Sequence, residues 1–248
     1  MKKLLSLLMA TLTVLTLTVA STACTPKDEN TIHIGILQVA THSALDSARE
    51  GFKEVVNEWA KANGKTVVYD EQNANGDPTN EVTIADALAS KNPDLMLGIA
   101  TSSARALANS TGKIPVLFTA VTAPTEENLI RDNVTGTSDL NPVADQIALM
   151  ADIVPGLTKI GFLYNSSENN SVIQFELAKA QAAKMNVEIV GYTASLSSEI
   201  TTVVDSIPTS VQAVYIPTDN LMAENATTIC SALHAKGIPV IAGESGVC

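Results

Sequence analysis

Short apolar segments alternate with helical patterns along most of the chain, and this alternation restricts the possible folds more than any other feature. Segments rich in Ile, Val and Leu begin near residues 32, 66, 94 and 115, about 34, 28 and 21 residues apart. A second series begins near residues 159, 187, 213 and 239, at intervals of about 28, 26 and 26 residues. Such intervals are typical of βαβ units that build a parallel sheet. We therefore predict an α/β protein with two Rossmann-like lobes in tandem, lobe 1 over residues 31–138 and lobe 2 over residues 139–248.

The segments between the predicted strands carry helical periodicity. In the first of them, Leu45, Phe52 and Val56 recur close to every 3.6 residues. The same pattern predicts helices over 43–63 and 198–206, and one continuous helix over 222–236. The predicted strands are almost continuously apolar, as expected when helices cover both faces of a sheet.

The N-terminal 23 residues have the pattern of an export signal. Lys2 and Lys3 precede an uncharged apolar stretch that ends in small residues. Cys24 follows directly, as in the lipoprotein box of bacteria, although Ser21 stands where that pattern usually has an aliphatic residue. We predict a signal peptide over 1–23, lipidation of Cys24 and a polar tether over 24–30. A retained membrane anchor and simple secretion are the alternatives.

Composition and motifs exclude several classes of function. The net charge is −11 and aromatic residues make up 4% of the chain, which disfavours a nucleic-acid partner. The sequence contains no HExxH, GxSxG or GxGxxG motif and only three histidines. We therefore expect no enzyme activity, no metal and no cofactor; an exported hydrolase is the alternative. Cys230 and Cys248 either pair as a disulfide, or Cys230 is a buried free thiol.

Polar residues follow the predicted strands, at the edge where open α/β sheets bind ligands. Ser102 and Ser103 lie at a predicted helix N-terminus, where backbone N–H groups favour an anion such as a carboxylate. Asp219 follows Ile216-Pro217-Thr218 at the end of a predicted strand of lobe 2 and can pair with an ammonium group. Helix capping is the alternative role for each of them. The two together indicate a cleft for a small zwitterion between the lobes.

The chain resembles a family of substrate-binding proteins of bacterial ABC transporters, including members linked to aromatic amino acids such as tryptophan. The resemblance covers nearly all of residues 31–248. It rests on these blocks: Gly35-Ile36-Leu37-Gln38 with His42, Gly136-Thr137-Ser138-Asp139, Ile160-Gly161-Phe162-Leu163-Tyr164-Asn165, Ile216-Pro217-Thr218-Asp219-Asn220 and Pro239-Val240-Ile241-Ala242-Gly243-Glu244.

The resemblance implies a type I periplasmic-binding-protein fold with its C-terminal part missing, because family members usually continue beyond Cys248. It also implies a lipid-anchored protein on the outer face of the cell membrane, or a periplasmic one. Its partners would be an aromatic amino acid and an ABC permease with its ATPase. Sugars, nucleosides, branched-chain amino acids and a receptor-type sensing role are the alternatives. The candidate ligand-binding residues are Gln38, Ser102, Ser103, Thr119, Asn165, Asp219 and Asn220.

Overall fold

The computed structural model describes residues 28–247. Lobe 1 contains a five-stranded sheet in the order β2-β1-β3-β4-β5, and β1–β3, β3–β4 and β4–β5 pair in parallel. Its strands are β1 Thr31–Gln38, β2 Thr66–Asn73, β3 Leu95–Ile99, β4 Val116–Val121 and β5 Val134–Ser138. Its helices are α1 Ser43–Ala62, α2 Pro78–Ser90 and α3 Thr101–Ser110.

Lobe 2 contains a four-stranded sheet in the order β7-β6-β8-β9, in which all paired strands are parallel. Its strands are β6 Lys159–Tyr164, β7 Glu188–Thr193, β8 Ala213–Ile216 and β9 Val240–Ala242. Its helices are α4 Val143–Ile153, α5 Asn169–Lys184, α6 Ile200–Ser206, α7 Asn220–Glu224 and α8 Ala226–Ala235. The α/β architecture with two parallel sheets is as predicted.

Each sheet is buried on both faces. In lobe 1, Leu45 of α1 packs on one face, while Leu88 of α2 and Leu107 of α3 belong to the core on the other. In lobe 2, Ile147 of α4 and Ile229 of α8 belong to two separate core clusters. This double coverage explains why the strands are continuously apolar rather than alternating.

Two predicted helices differ from the structure. The helix expected over 222–236 is two helices, α7 and α8, separated at Asn225. The helix expected over 198–206 begins as a 3-10 turn over Ser197–Glu199 before α6. In both places a side chain forms a hydrogen bond with the backbone that competes with regular helical bonding: Asn225 Nδ2–H donates to the carbonyl oxygen of Leu221, and Glu199 Oε2 accepts from Ser195 N.

Several N- and C-terminal predictions fall outside the described residues. The signal peptide over 1–23 and the lipidated Cys24 lie there, as does Cys248. The Sγ atom of Cys230 lies 3.7 Å from the carbonyl oxygen of Val247. Within residues 28–247, no helix is both long enough and apolar enough to span a membrane.

Candidate ligand-binding site

Two adjoining cavities lie between the lobes, and side chains of both lobes line each of them. Cavity A has a volume of about 230 Å³ and is lined by His42, Ala44, Leu45, Ala48, Thr101, Thr119, Ala120, Thr122, Asp139, Asn170, Thr218, Asn220 and Glu244. Cavity B has a volume of about 390 Å³, and its polar lining includes Glu81, Ser102, Arg105, Asn165, Glu168, Asn169 and Asn220. Thr101, Asn170 and Asn220 line both cavities, so the two form one cleft.

Two carboxyl groups, those of Asp139 and Glu244, give cavity A an acidic side. Burial, followed by the charges of Asp139 and Glu168, raises the pKa of Glu244 to about 7. Burial also raises the pKa of Asp139. Among the described residues, Asp139 Oδ1 is buried and has no hydrogen-bond partner. Because burial disfavours the ionised form of a carboxyl group and a nearby positive charge offsets that cost, this side of the cavity favours a positively charged group.

The N-terminus of α3 has the opposite preference to the two carboxyl groups: its backbone N–H groups favour an anion. Its N-cap residue Ala100 offers no side-chain cap, and Thr101 borders the cavity. The helix lies directly on β3: a Cβ atom on Gly98 would be only 2.4 Å from the Cα of Ala104. Close packing on a glycine therefore sets the position of this helix terminus, which suits a carboxylate.

Strained backbone marks the same edge of the lobe 1 sheet. Ala100 after β3 and Ala120 within β4 have φ values of 80° and 55°, in the left-handed region that alanine rarely adopts. The pairing of β4 with β5 shifts its register between Phe118 and Val121, around Ala120. Such strain persists where surrounding packing enforces it, and it clusters at ligand sites.

In lobe 2, two acidic side chains join the ends of β6 and β8. Asp219 Oδ2 accepts from Asn165 N at 2.6 Å and from Ser171 Oγ at 2.7 Å, and its Oδ1 accepts from Met222 N at 2.9 Å. Glu168 accepts from the backbone and side-chain N–H groups of Asn220. Burial and the neighbouring Glu168 raise the pKa of Asp219. Asp219 thus supports the cleft from behind, whereas its neighbours Asn165, Glu168 and Asn220 line cavity B.

The structure brings four of the seven candidate residues to the cleft. Thr119 and Asn220 line cavity A, while Ser102, Asn165 and Asn220 line cavity B. Ligand contact by these four stays a prediction.

Gln38, Ser103 and Asp219 are 1%, 0% and 1% exposed and lie behind the cavity surface. Gln38 bonds to Asp46 and Arg49 of α1. Asp219 is occupied by three protein donors. The capping alternative therefore fits Asp219 better than the ammonium role we expected.

Two hydrogen-bonded links cross the cleft. His42 Nε2 lies 3.3 Å from Asn220 Oδ1. The buried Glu127 of lobe 1 accepts from Asn169 Nδ2 of lobe 2 and forms an ion pair with Arg105 at 3.1 Å. The lobes are therefore in direct polar contact at residues that line the two cavities, His42 and Asn220 in cavity A and Asn169 in cavity B.

Sequence reasoning missed Asp139 as a site residue and gave Glu244 little weight. Asp139 follows β5, in the segment that leads from lobe 1 to lobe 2, and its position beside Glu244 depends on the packing of the two lobes. Only its place in the block Gly136-Thr137-Ser138-Asp139 could have indicated it. Within residues 28–247, no group of three or more His, Cys, Asp or Glu side chains is placed to hold a metal ion.

Comparison with known proteins identifies the family of the chain. The family described as ABC transporter substrate binding protein matches residues 33–248. The tyrosine-binding protein of Clostridioides difficile is 36% identical over 220 residues, which is 86% of this chain and 64% of that protein. The chain thus spans less than two thirds of that relative's length.

Two solved structures share the fold closely. A conserved domain protein from Vibrio cholerae has a TM-score of 0.81 at 33% identity, over 87% of this chain and 75% of its own. An ABC domain from Streptococcus pneumoniae in complex with L-Trp also has a TM-score of 0.81, at 32% identity over 88% of this chain and 75% of its own. These likenesses confirm the predicted type I periplasmic-binding-protein fold. The chain belongs to the family of ABC transporter substrate-binding proteins, which bind their substrates without transforming them.

Proposed function

We propose that this protein captures a free amino acid with an aromatic side chain in the cleft between its lobes, for import by an ABC permease and its ATPase. The observation that carries the proposal is the polarity of cavity A, whose lining contains two carboxyl groups and the first residue of a helix without a side-chain cap. A zwitterion offers opposite charges to these two features.

The ammonium end of the ligand is assigned to Asp139 and Glu244. Both line cavity A, and burial raises the pKa of each carboxyl group. An ammonium group within hydrogen-bonding distance favours the ionised carboxylates and offsets the cost of their burial. This replaces our expectation that Asp219 fills the role.

The carboxylate end is assigned to the N-terminus of α3. The backbone N–H groups of Ser102 and Ser103 and the hydroxyl of Thr101 are the donors there, and Thr119 and Thr122 add hydroxyl groups to the lining. The role of Ser102 and Ser103 is thus carried by their backbone, which agrees with the burial of the Ser103 side chain.

The side chain of the ligand is assigned to the apolar wall formed by Ala44, Leu45 and Ala48 of α1. Small residues leave room for a ring, and the names of two relatives mention tyrosine and L-Trp. No aromatic residue of the described chain lines cavity A, so the ring would pack on aliphatic groups. We extend the proposal to export, lipidation at Cys24 and delivery outside the cytoplasm on the basis of the N-terminal sequence and the family.

Calorimetry with the purified chain tests the proposal. The ligands are L-tryptophan, L-tyrosine, L-phenylalanine, L-leucine, ribose and adenosine, with the aromatic amino acids expected to bind most tightly. Asp139→Asn and Glu244→Gln should each weaken that binding by about 10- to 100-fold, as expected for a charged hydrogen-bond partner.

Matched controls at exposed sites are Asp152→Asn and Glu58→Gln, which should leave affinity unchanged. Preferential binding of ribose or adenosine would replace the amino-acid assignment with the sugar or nucleoside alternative. Unchanged affinity in both cleft variants would refute the ammonium assignment.

A further inference from the structure

A buried acceptor at cavity A lacks a donor. Nδ1 of His42 is screened from solvent and has no hydrogen-bond partner among the described residues. His42 is 9% exposed, lines cavity A and precedes α1, yet its side chain does not cap that helix. Buried polar atoms in native proteins are nearly always paired, so an orphan at a cavity needs an explanation.

The hydrogen bonds around His42 determine which ring nitrogen carries the proton. Asn220 donates its Nδ2–H to Glu168 Oε2 at 2.6 Å, which orients the amide so that its Oδ1 lies toward His42. Because Oδ1 can only accept, His42 Nε2 must be the donor. In the neutral imidazole, Nδ1 is then an acceptor with an unused lone pair.

A second orphan acceptor borders the same cavity. Asp139 Oδ1 is also buried and has no partner in the described chain. A single ligand group that paired with both acceptors would need at least two N–H bonds, and a primary ammonium provides three. A hydroxyl group provides one and would leave an acceptor unpaired.

We propose that His42 Nδ1 accepts a hydrogen bond from the ammonium group of the bound amino acid while its Nε2–H holds Asn220 of the opposite lobe. The inference rests on the proposed function and adds a ligand contact to it. Nδ1 is screened from solvent in this structure, and Nε2 joins His42 to the opposite lobe. His42 thereby links recognition of a primary ammonium to the contact between the lobes.

Two substitutions separate the two halves of this role. His42→Gln places an N–H group near the position of Nε2 and retains the bond to Asn220, but it lacks an acceptor at the position of Nδ1. His42→Asn places a carbonyl oxygen near the position of Nδ1, but its side chain is too short to reach Asn220. His234→Gln, at an exposed position of α8, is the matched control.

The probes are the aromatic amino acid that the wild-type chain binds best and its des-amino analogue, the carboxylic acid with the same side chain. Affinities are measured by calorimetry. Wild type, His234→Gln and His42→Asn should prefer the amino acid over the analogue, although His42→Asn weakens both because it lacks the bridge. His42→Gln should lose at least tenfold of this preference, through weaker binding of the amino acid alone.

An unchanged preference in His42→Gln overturns the proposal, and so does an equal loss for both probes, which would mark His42 as a bridge only. Failure of the wild type to bind any amino acid overturns the proposed function and this contact with it. Nitrogen-15 spectra of the ligand-free protein give an independent test. A proton on Nδ1 of His42 rather than on Nε2 refutes the assignment without reference to any ligand.

Discussion

Glu81 allows the cost of a buried carboxyl group in the cleft to be measured. It lies in the first turn of α2, is 4% exposed and lines cavity B. Burial, as the largest cause, raises its pKa from 4.5 to about 7, against the opposing effects of a hydrogen bond with Ser102 and the charge of Arg105. Glu81→Gln replaces it with a side chain of similar shape that does not titrate.

The sign of the pH effect follows from proton binding. Between pH 4.5 and 7 the folded chain keeps the Glu81 proton while the unfolded chain has lost it, so stability falls as pH rises. The gap between these two pKa values corresponds to about 3 kcal/mol of unfolding free energy. For a chain of this size that equals a shift in Tm of about 6–12 °C.

Urea unfolding of wild type and Glu81→Gln at pH 4.5 and pH 8, followed by circular dichroism, measures this contribution. The stability of the variant relative to wild type should improve by up to about 3 kcal/mol between pH 4.5 and pH 8. Any loss of the Ser102 hydrogen bond adds a constant that does not depend on pH. Glu58→Gln, at an exposed position of α1, should show no such change. A difference between Glu81→Gln and wild type that is the same at both pH values refutes the reasoning.

Two further substitutions test the supports of the site. Gly98→Ala would put a Cβ atom 2.4 Å from the Cα of Ala104, so α3 must move. We expect the free energy of unfolding in urea to fall by about 2–3 kcal/mol and ligand binding to weaken. Undiminished stability would contradict the tight packing of α3 on β3. Asp219→Ala leaves three buried donors without an acceptor, so it should lower the free energy of unfolding by about 3 kcal/mol. A loss of ligand affinity at unchanged stability would instead restore Asp219 as a ligand contact.

The regular elements were predictable because their signals are local. The strands β3, β6 and β8 begin at Leu95, Lys159 and Ala213, within one residue of the starts near 94, 159 and 213 that their apolar runs predict. The break at Asn225 was not predictable, because the apolar period continues through it while a side-chain amide takes over a backbone carbonyl.

The candidate site was predictable only in part. The edge of the sheets, the N-terminus of α3 and the polar strand ends follow from the rule that parallel strands present their carboxyl ends together. Which polar residues reach the cavity did not follow. Asp139 comes directly after β5 and Asp219 comes three residues after the last residue of β8. Asp219 nevertheless accepts from three protein donors, while Asp139 lines cavity A.

By itself the sequence determined two tandem α/β lobes and a polar cleft between them, because strand length, spacing and apolar character are properties of short segments. Only the tertiary structure decided which carboxyl groups, hydroxyl groups and imidazole face that cleft. The physical reason is that each such side chain takes the nearest available donor or acceptor, and those partners come from segments 50 to 180 residues away, as in Asn165–Asp219 and His42–Asn220.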